Sequence, residues 1–116
     1  MSTKQDLIEN AKEYFKNGIY AQKRKHYNTS VTLFFKTLSA LTDLYIIEKE
    51  GHPPSSHSER FRILEKKYKE IYDILDKDFP YYQNSYRSKL NLEVSKIFEN
   101  DCRTIFEILK IRIKKI

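Results

Sequence analysis

The sequence predicts an all-α protein: a single domain over residues 1–116, built as an up-and-down bundle of four or five helices. Three observations lead there. Apolar residues recur at steps of three and four along nearly the whole chain, the spacing of one helix face. The 116 residues include two glycines and three prolines, too few for the many turns of a sandwich or barrel and far from a collagenous or low-complexity composition. A hydrophobic fraction of 40% supplies one core, and a charged fraction of 33% surrounds it with solvated surface.

The elements follow in order. Ser2 with Gln5, or Thr3 ahead of Asp6, caps a first helix whose inner face is Leu7, Ala11, Tyr14/Phe15, Gly18 and Ala21. A glycine inside a helix costs about 1 kcal/mol relative to alanine, so Gly18 predicts a closely approaching neighbour or a kink. The helix fades in the basic run Lys23-Arg24-Lys25-His26. A second helix spans 28–50, capped by Asn28 or Thr29, with Val31, Phe34, Leu38, Leu41 and Tyr45 in one stripe. Gly51 closes it, and His52-Pro53-Pro54 prevents its continuation. The capping box Ser56…Glu59 opens a third helix that turns Phe61, Leu64, Tyr68, Ile71/Tyr72 and Leu75 inward and stops at Asp78-Phe79-Pro80. Residues 81–90 read as irregular or briefly helical. Asn91 caps a last helix over about 92–115, with Glu93 in its first turn.

That last helix carries two apolar stripes: Val94, Phe98, Cys102, Ile105/Phe106, Leu109 and Ile113, and then Ile97, Thr104, Ile108 and Ile111. A sector so wide predicts a covering partner, and a second copy of the chain is the simplest one, making a homodimer through this helix. Four acids (Glu93, Glu99, Asp101, Glu107) on the same helix argue against a membrane-surface role.

The formal net charge is +6. Its excess sits in Lys23-Arg24-Lys25-His26 and in Lys110, Arg112, Lys114 and Lys115. Such clusters attract nucleic acid, although lysine-rich helices also serve simply to keep a small domain soluble. No stretch approaches the ~20 consecutive apolar residues of a membrane helix, and the N-terminus lacks an apolar signal core, so a cytoplasmic protein with no membrane partner is expected. A single cysteine excludes an internal disulfide framework; Cys102, on an apolar stripe, reads as a core residue.

Three segments carry a resemblance to a known family. They are the opening helix ending in Gly18-Ile19-Tyr20, the stretch from Tyr27 to Leu41 in which small and aromatic residues alternate at helical spacing, and Tyr82…Tyr86-Arg87-Ser88-Lys89-Leu90-Asn91 leading into the last long helix. In order and spacing they resemble a HEPN domain, most nearly the short stand-alone prokaryotic proteins of that family. The resemblance implies a four- or five-helix bundle, often a homodimer. It implies either a metal-independent endoribonuclease with an R-x-x-x-x-H motif or, where that motif is missing, a module binding RNA, nucleotide or a nucleotidyltransferase-type protein partner, as in toxin–antitoxin-like pairs.

The motif is missing here. Five residues before His26, His52 and His57 stand Ala21, Ile47 and His52, and five after Arg87 stands Leu92. Cleavage of this type needs a group that moves the 2′-OH proton and a cation for the phosphorane charge; Arg87 supplies the cation and Leu92 cannot move a proton. No catalytic residue, metal ligand set or cofactor is therefore expected. His52 and His57 lie in one loop without a cysteine, and no glycine-rich phosphate loop exists. Most of the nine tyrosines fit core faces. Tyr82 and Tyr86, with Arg87, Lys89 and Asn91, form the candidate surface for RNA or nucleotide. A divergent ribonuclease of the same fold and a plain interaction scaffold are the alternatives.

Overall fold

The computed structural model describes residues 4–113, and among them every regular element is helical. The helices are α1 (Lys4–Lys23), α2 (Tyr27–Glu50), α3 (His57–Lys67), α4 (Lys69–Asn84) and α5 (Leu92–Ile108). The proposed Ser2 and Thr3 caps and the basic residues Lys114 and Lys115 lie outside the described residues.

α2 is the central element. It packs against α1, α4 and α5, and Asp43 ties it to Arg60 of α3. Its residues Val31, Phe34, Leu38, Leu41 and Ile46 are fully buried, in one cluster with Phe15 and Ala11 of α1, Leu64 of α3, Ile71 and Leu75 of α4, and Phe98, Cys102, Ile105 and Phe106 of α5. A helix surrounded in this way is apolar on most of its circumference. That explains a departure from the sequence reading: α2 is long and apolar enough to cross a membrane, yet 61% of its most apolar window is buried inside the bundle.

The approach inferred at Gly18 is present. A Cβ there would lie 2.6 Å from the Phe34 ring, so α1 sits on α2 at a distance only glycine permits. The Phe34 carbonyl also accepts the Cys102 thiol proton at 3.3 Å, joining α5 to the same point. Gly51 takes the left-handed conformation (φ 90°) that closes α2. Ser56 accepts from the Glu59 amide at 3.1 Å, and Asn91 accepts from the Val94 amide at 3.0 Å.

Four boundaries differ from the sequence reading. α2 begins at Tyr27 behind His26, without a side-chain cap; Asn28 is engaged elsewhere, as described below. The third helix is interrupted at Tyr68, whose hydroxyl donates to Glu50 and whose ring meets Tyr45 edge-on at 5.2 Å. That hydrogen bond, with burial, pushes the Tyr68 pKa up to about 12. α4 runs through Pro80 to Asn84. The missing amide and ring clash cost about 3 kcal/mol in an interior turn, offset here by Phe79 and Tyr82 on either side: both rings pack on Phe35, Tyr82 in a parallel stack at 4.3 Å.

Finally, α5 ends at Ile108 rather than near 115. Lys110 adopts φ 58°, and the Ile111 amide returns to the Phe106 carbonyl at 2.9 Å, a left-handed helix stop that brings its flanking apolar residues together. Ile111 and Ile113 thus fold back onto the core beside Ile108 and Leu109, while Thr104 faces solvent. Most of the apolar width that suggested a covering twin is taken up by the chain itself. Among the described residues the exposed large apolar side chains are Tyr20, Tyr81, Tyr86 and Leu92.

Candidate nucleic-acid interface

The end of α1, the start of α2 and the start of α5 meet at one end of the bundle. A buried relay fixes them there. Gln22 of α1 donates to Ser95 of α5 at 2.9 Å, the Ser95 and Ser30 hydroxyls share a 2.7 Å bond, and Ser30 of α2 donates to the Tyr27 carbonyl at 2.9 Å. Each hydroxyl donates once, so the chain of bonds is consistent and closed to water.

Above this relay, Asn28 organises the α4–α5 connection. Its amide nitrogen donates to the carbonyls of Ser85 (2.8 Å) and Ser88 (2.7 Å), and its oxygen accepts from the Leu90 amide (2.9 Å). Two carbonyls on one side and an amide on the other fix which way the side chain points. Asn28 is thereby a clamp on residues 85–90, which explains why it does not cap its own helix.

The clamp joins two basic segments far apart in sequence. Lys25 and His26, from the turn after α1, line a pocket of about 200 Å³ with Tyr27, Asn28, Thr29, Lys89 and Leu90. Tyr27, Asn28 and Thr29, the first residues of α2, border it, and the helix starts with no capping side chain, so the positive end of its dipole lies beside the lysines. Lys25 holds φ 64°, as the His26 amide reaches back to the Ala21 carbonyl at 2.9 Å. Glycine is the usual residue at such a stop, and a lysine there costs roughly 1 kcal/mol.

The predicted site residues divide into two groups. Tyr86, Arg87 and Lys89 are exposed, Tyr86 at 90% as a residue. Among the described residues the side chain of Arg87 has no ion-pair partner. Tyr82 is half-buried, with its ring stacked on Phe35, and Asn91 is occupied as the α5 cap. Those two shape the surface more than they offer free groups. Leu92, at the position where the ribonuclease motif would have its histidine, is half-exposed at the start of α5.

His57 belongs to a different groove, of about 280 Å³, that it shares with Asn10, Tyr14, Lys36, Ser39, Asp43 and Tyr82. Arg60, 9% exposed, donates to both Asp43 oxygens (2.7 and 3.1 Å) and to His57 Nδ1 (2.6 Å). A guanidinium can only donate, so Nδ1 is an acceptor and the ring proton sits on Nε2. Held like this, His57 offers an N–H to a ligand rather than a lone pair to a proton. Sequence reasoning missed this cluster because its members come from positions 43, 57 and 60 with no common motif.

The described residues contain no group of histidine, cysteine or acidic side chains arranged to hold a metal ion. One buried acid stands apart from both sites. Asp78 on α4 is fully buried with neither oxygen hydrogen-bonded, and Lys77 Nζ is 3.7 Å away. Burial first, and then the neighbouring Asp101, push its pKa far up, to about 9, so the carboxyl is neutral in the folded protein.

No protein-family model matches the chain, and neither the curated proteins nor the solved structures contain a match.

Proposed function

We propose that the protein is a non-catalytic helical module that binds RNA or nucleotide phosphates at this basic end, in keeping with its resemblance to HEPN domains. One observation carries the reading: Asn28 clamps the 85–90 turn so that Lys89 faces Lys25 and His26 across a pocket at the uncapped start of α2. Phosphate contacts of this kind supply most non-specific affinity for nucleic acid. Beside them, Arg87 adds a planar cation and Tyr86 an open ring on which a base can stack.

The non-catalytic part rests on Leu92 and on His57, whose Nδ1 is already engaged by Arg60. The test is fluorescence anisotropy with labelled RNA at two salt concentrations. Arg87→Ala and Lys89→Ala should each lower affinity, and each should reduce the slope of log K against log salt by about 0.7 per lost contact. Affinity unchanged in both variants refutes the site. Cleavage of RNA in EDTA that disappears in Arg87→Ala would favour the divergent ribonuclease instead. The protein partners proposed with the resemblance, a second copy and a nucleotidyltransferase-type protein, are read by sedimentation and by co-purification.

A further inference from the structure

The residues Asn28, Thr32, Lys36, Ser39 and Asp43 follow one another at steps of four, four, three and four, so they occupy one face of α2. Each borders a cavity. Asn28 lines the basic-end pocket. Thr32 lines an adjoining one of about 470 Å³ with Gln83, Ser85, Tyr82 and Tyr86. Lys36, Ser39 and Asp43 line the His57 groove, which shares Tyr82 with the second cavity. The first two adjoin through Ser85, whose carbonyl Asn28 holds.

We propose that this face of α2 is a track for one unpaired nucleic-acid strand, running from the basic end past Tyr86 and Tyr82 to Lys36 and His57. The inference rests on the proposed function and extends it from a pocket to a path with a length and a strandedness. The path combines cations, rings and neutral polar side chains. Lys25, Lys89 and Lys36 meet phosphates, Tyr86 offers a ring to a base, and the His57 Nε2–H is a donor at the far end. Lys36 lies over the Tyr14 ring, 5.8 Å from its centre, which keeps the ammonium at the groove. The single acid along the three cavities, Asp43, has both oxygens bound by Arg60 and so presents little negative charge.

The cavity between α3 and α4, about 500 Å³, lies on the other side of His57 and makes the contrast: Glu65 and Asp76 border it with Arg62 as its one full cation, so a polyanion's backbone meets more acid than base there. Bases inside a duplex are stacked on each other and unavailable to tyrosine rings, whereas an unpaired strand presents them. Asn28 to Asp43 covers about 22 Å of helix axis, the length of about six nucleotides at the 3.4 Å spacing of a stacked strand.

The experiment compares a uridine dinucleotide, a strand of about six uridines and a longer one, by anisotropy, on the full chain. Wild-type affinity should rise about tenfold or more from the dinucleotide to the six-mer and then level off. Lys36→Ala should remove several-fold of the six-mer affinity, Lys36→Glu more, and neither should change dinucleotide binding. Lys89→Ala should weaken all lengths. Lys36 is exposed and touches α1 through the Tyr14 ring, so circular dichroism of both variants checks that the fold persists. If RNA binds and Lys89→Ala weakens it, while the Lys36 variants bind the six-mer like wild type, the track is wrong and the basic-end site stands. A duplex binding as tightly as the single strand also overturns the track. If wild type binds no RNA at any length, both readings fall.

Discussion

Two lysines stand where helices usually place glycine, and only one of them is at the proposed site. Lys25 closes α1 at φ 64° and Lys110 closes α5 at φ 58°. In both, the next amide reaches back five residues, His26 to Ala21 and Ile111 to Phe106. The left-handed conformation costs an L-residue about 1–2 kcal/mol that glycine does not bear. Part of the gain on substitution is returned because glycine loosens the unfolded chain. Lys25→Gly and Lys110→Gly should therefore each stabilise the fold by about 1 kcal/mol, seen as a rise in Tm of roughly 4 °C or more for a domain of this size. Their effects on RNA should separate. Lys25→Gly removes a phosphate contact and should weaken binding about three- to tenfold with a shallower salt dependence. Lys110→Gly should leave binding as it was. Thermal unfolding by circular dichroism and anisotropy titration read the two quantities independently. No rise in Tm at either position refutes the strain argument; a stabilised Lys25→Gly with undiminished RNA affinity refutes the placement of Lys25 at the site.

Gly18→Ala should destabilise by about 1–3 kcal/mol despite alanine's better helix propensity, because its Cβ would meet a Phe34 ring that is wholly buried against Phe15; urea titration gives the value. Asn28→Asp keeps an acceptor for the Leu90 amide but sets a carboxylate against the Ser85 and Ser88 carbonyls, so it should cost more stability than Asn28→Ala and should loosen the site, measured as faster amide exchange over 85–90. For Asp78 the sign follows from its raised pKa: between its unfolded value near 4 and about 9 the folded chain keeps a proton that the unfolded chain has lost. This group's contribution is greatest in acid and declines as pH rises through that window. Asp78→Asn should therefore gain in Tm over wild type progressively from mildly acidic to alkaline buffer, and a difference independent of pH would show that the carboxyl is charged in the fold.

Much of the helix punctuation is local chemistry and was readable in the chain. Gly51, Ser56 with Glu59, and Asn91 act through neighbours within four residues, and Gly18 betrayed a contact by its cost. The misread boundaries depend on partners distant in sequence. Tyr68 interrupts a helix while reaching Glu50, and α4 survives Pro80 where Phe79 and Tyr82 stack on Phe35. α5 stops early at a lysine, where a search for glycine finds no signal. The same distinction holds at the site. The open character of Tyr86, Arg87 and Lys89 was visible as a polar aromatic stretch outside clean stripes. Their meeting with Lys25 and His26 was not, because it hangs on Asn28, which by local rules is a helix cap. The pairing of Arg60 with Asp43 and His57 has no sequence signature at all.

The lone thiol makes the molecule its own reporter. Burial raises the Cys102 pKa well above its ordinary value, and its proton is spent on Phe34, at the point where three helices converge. An alkylating reagent finds neither thiolate nor access until that convergence comes apart, so the rate of a single covalent modification times the opening of the whole core.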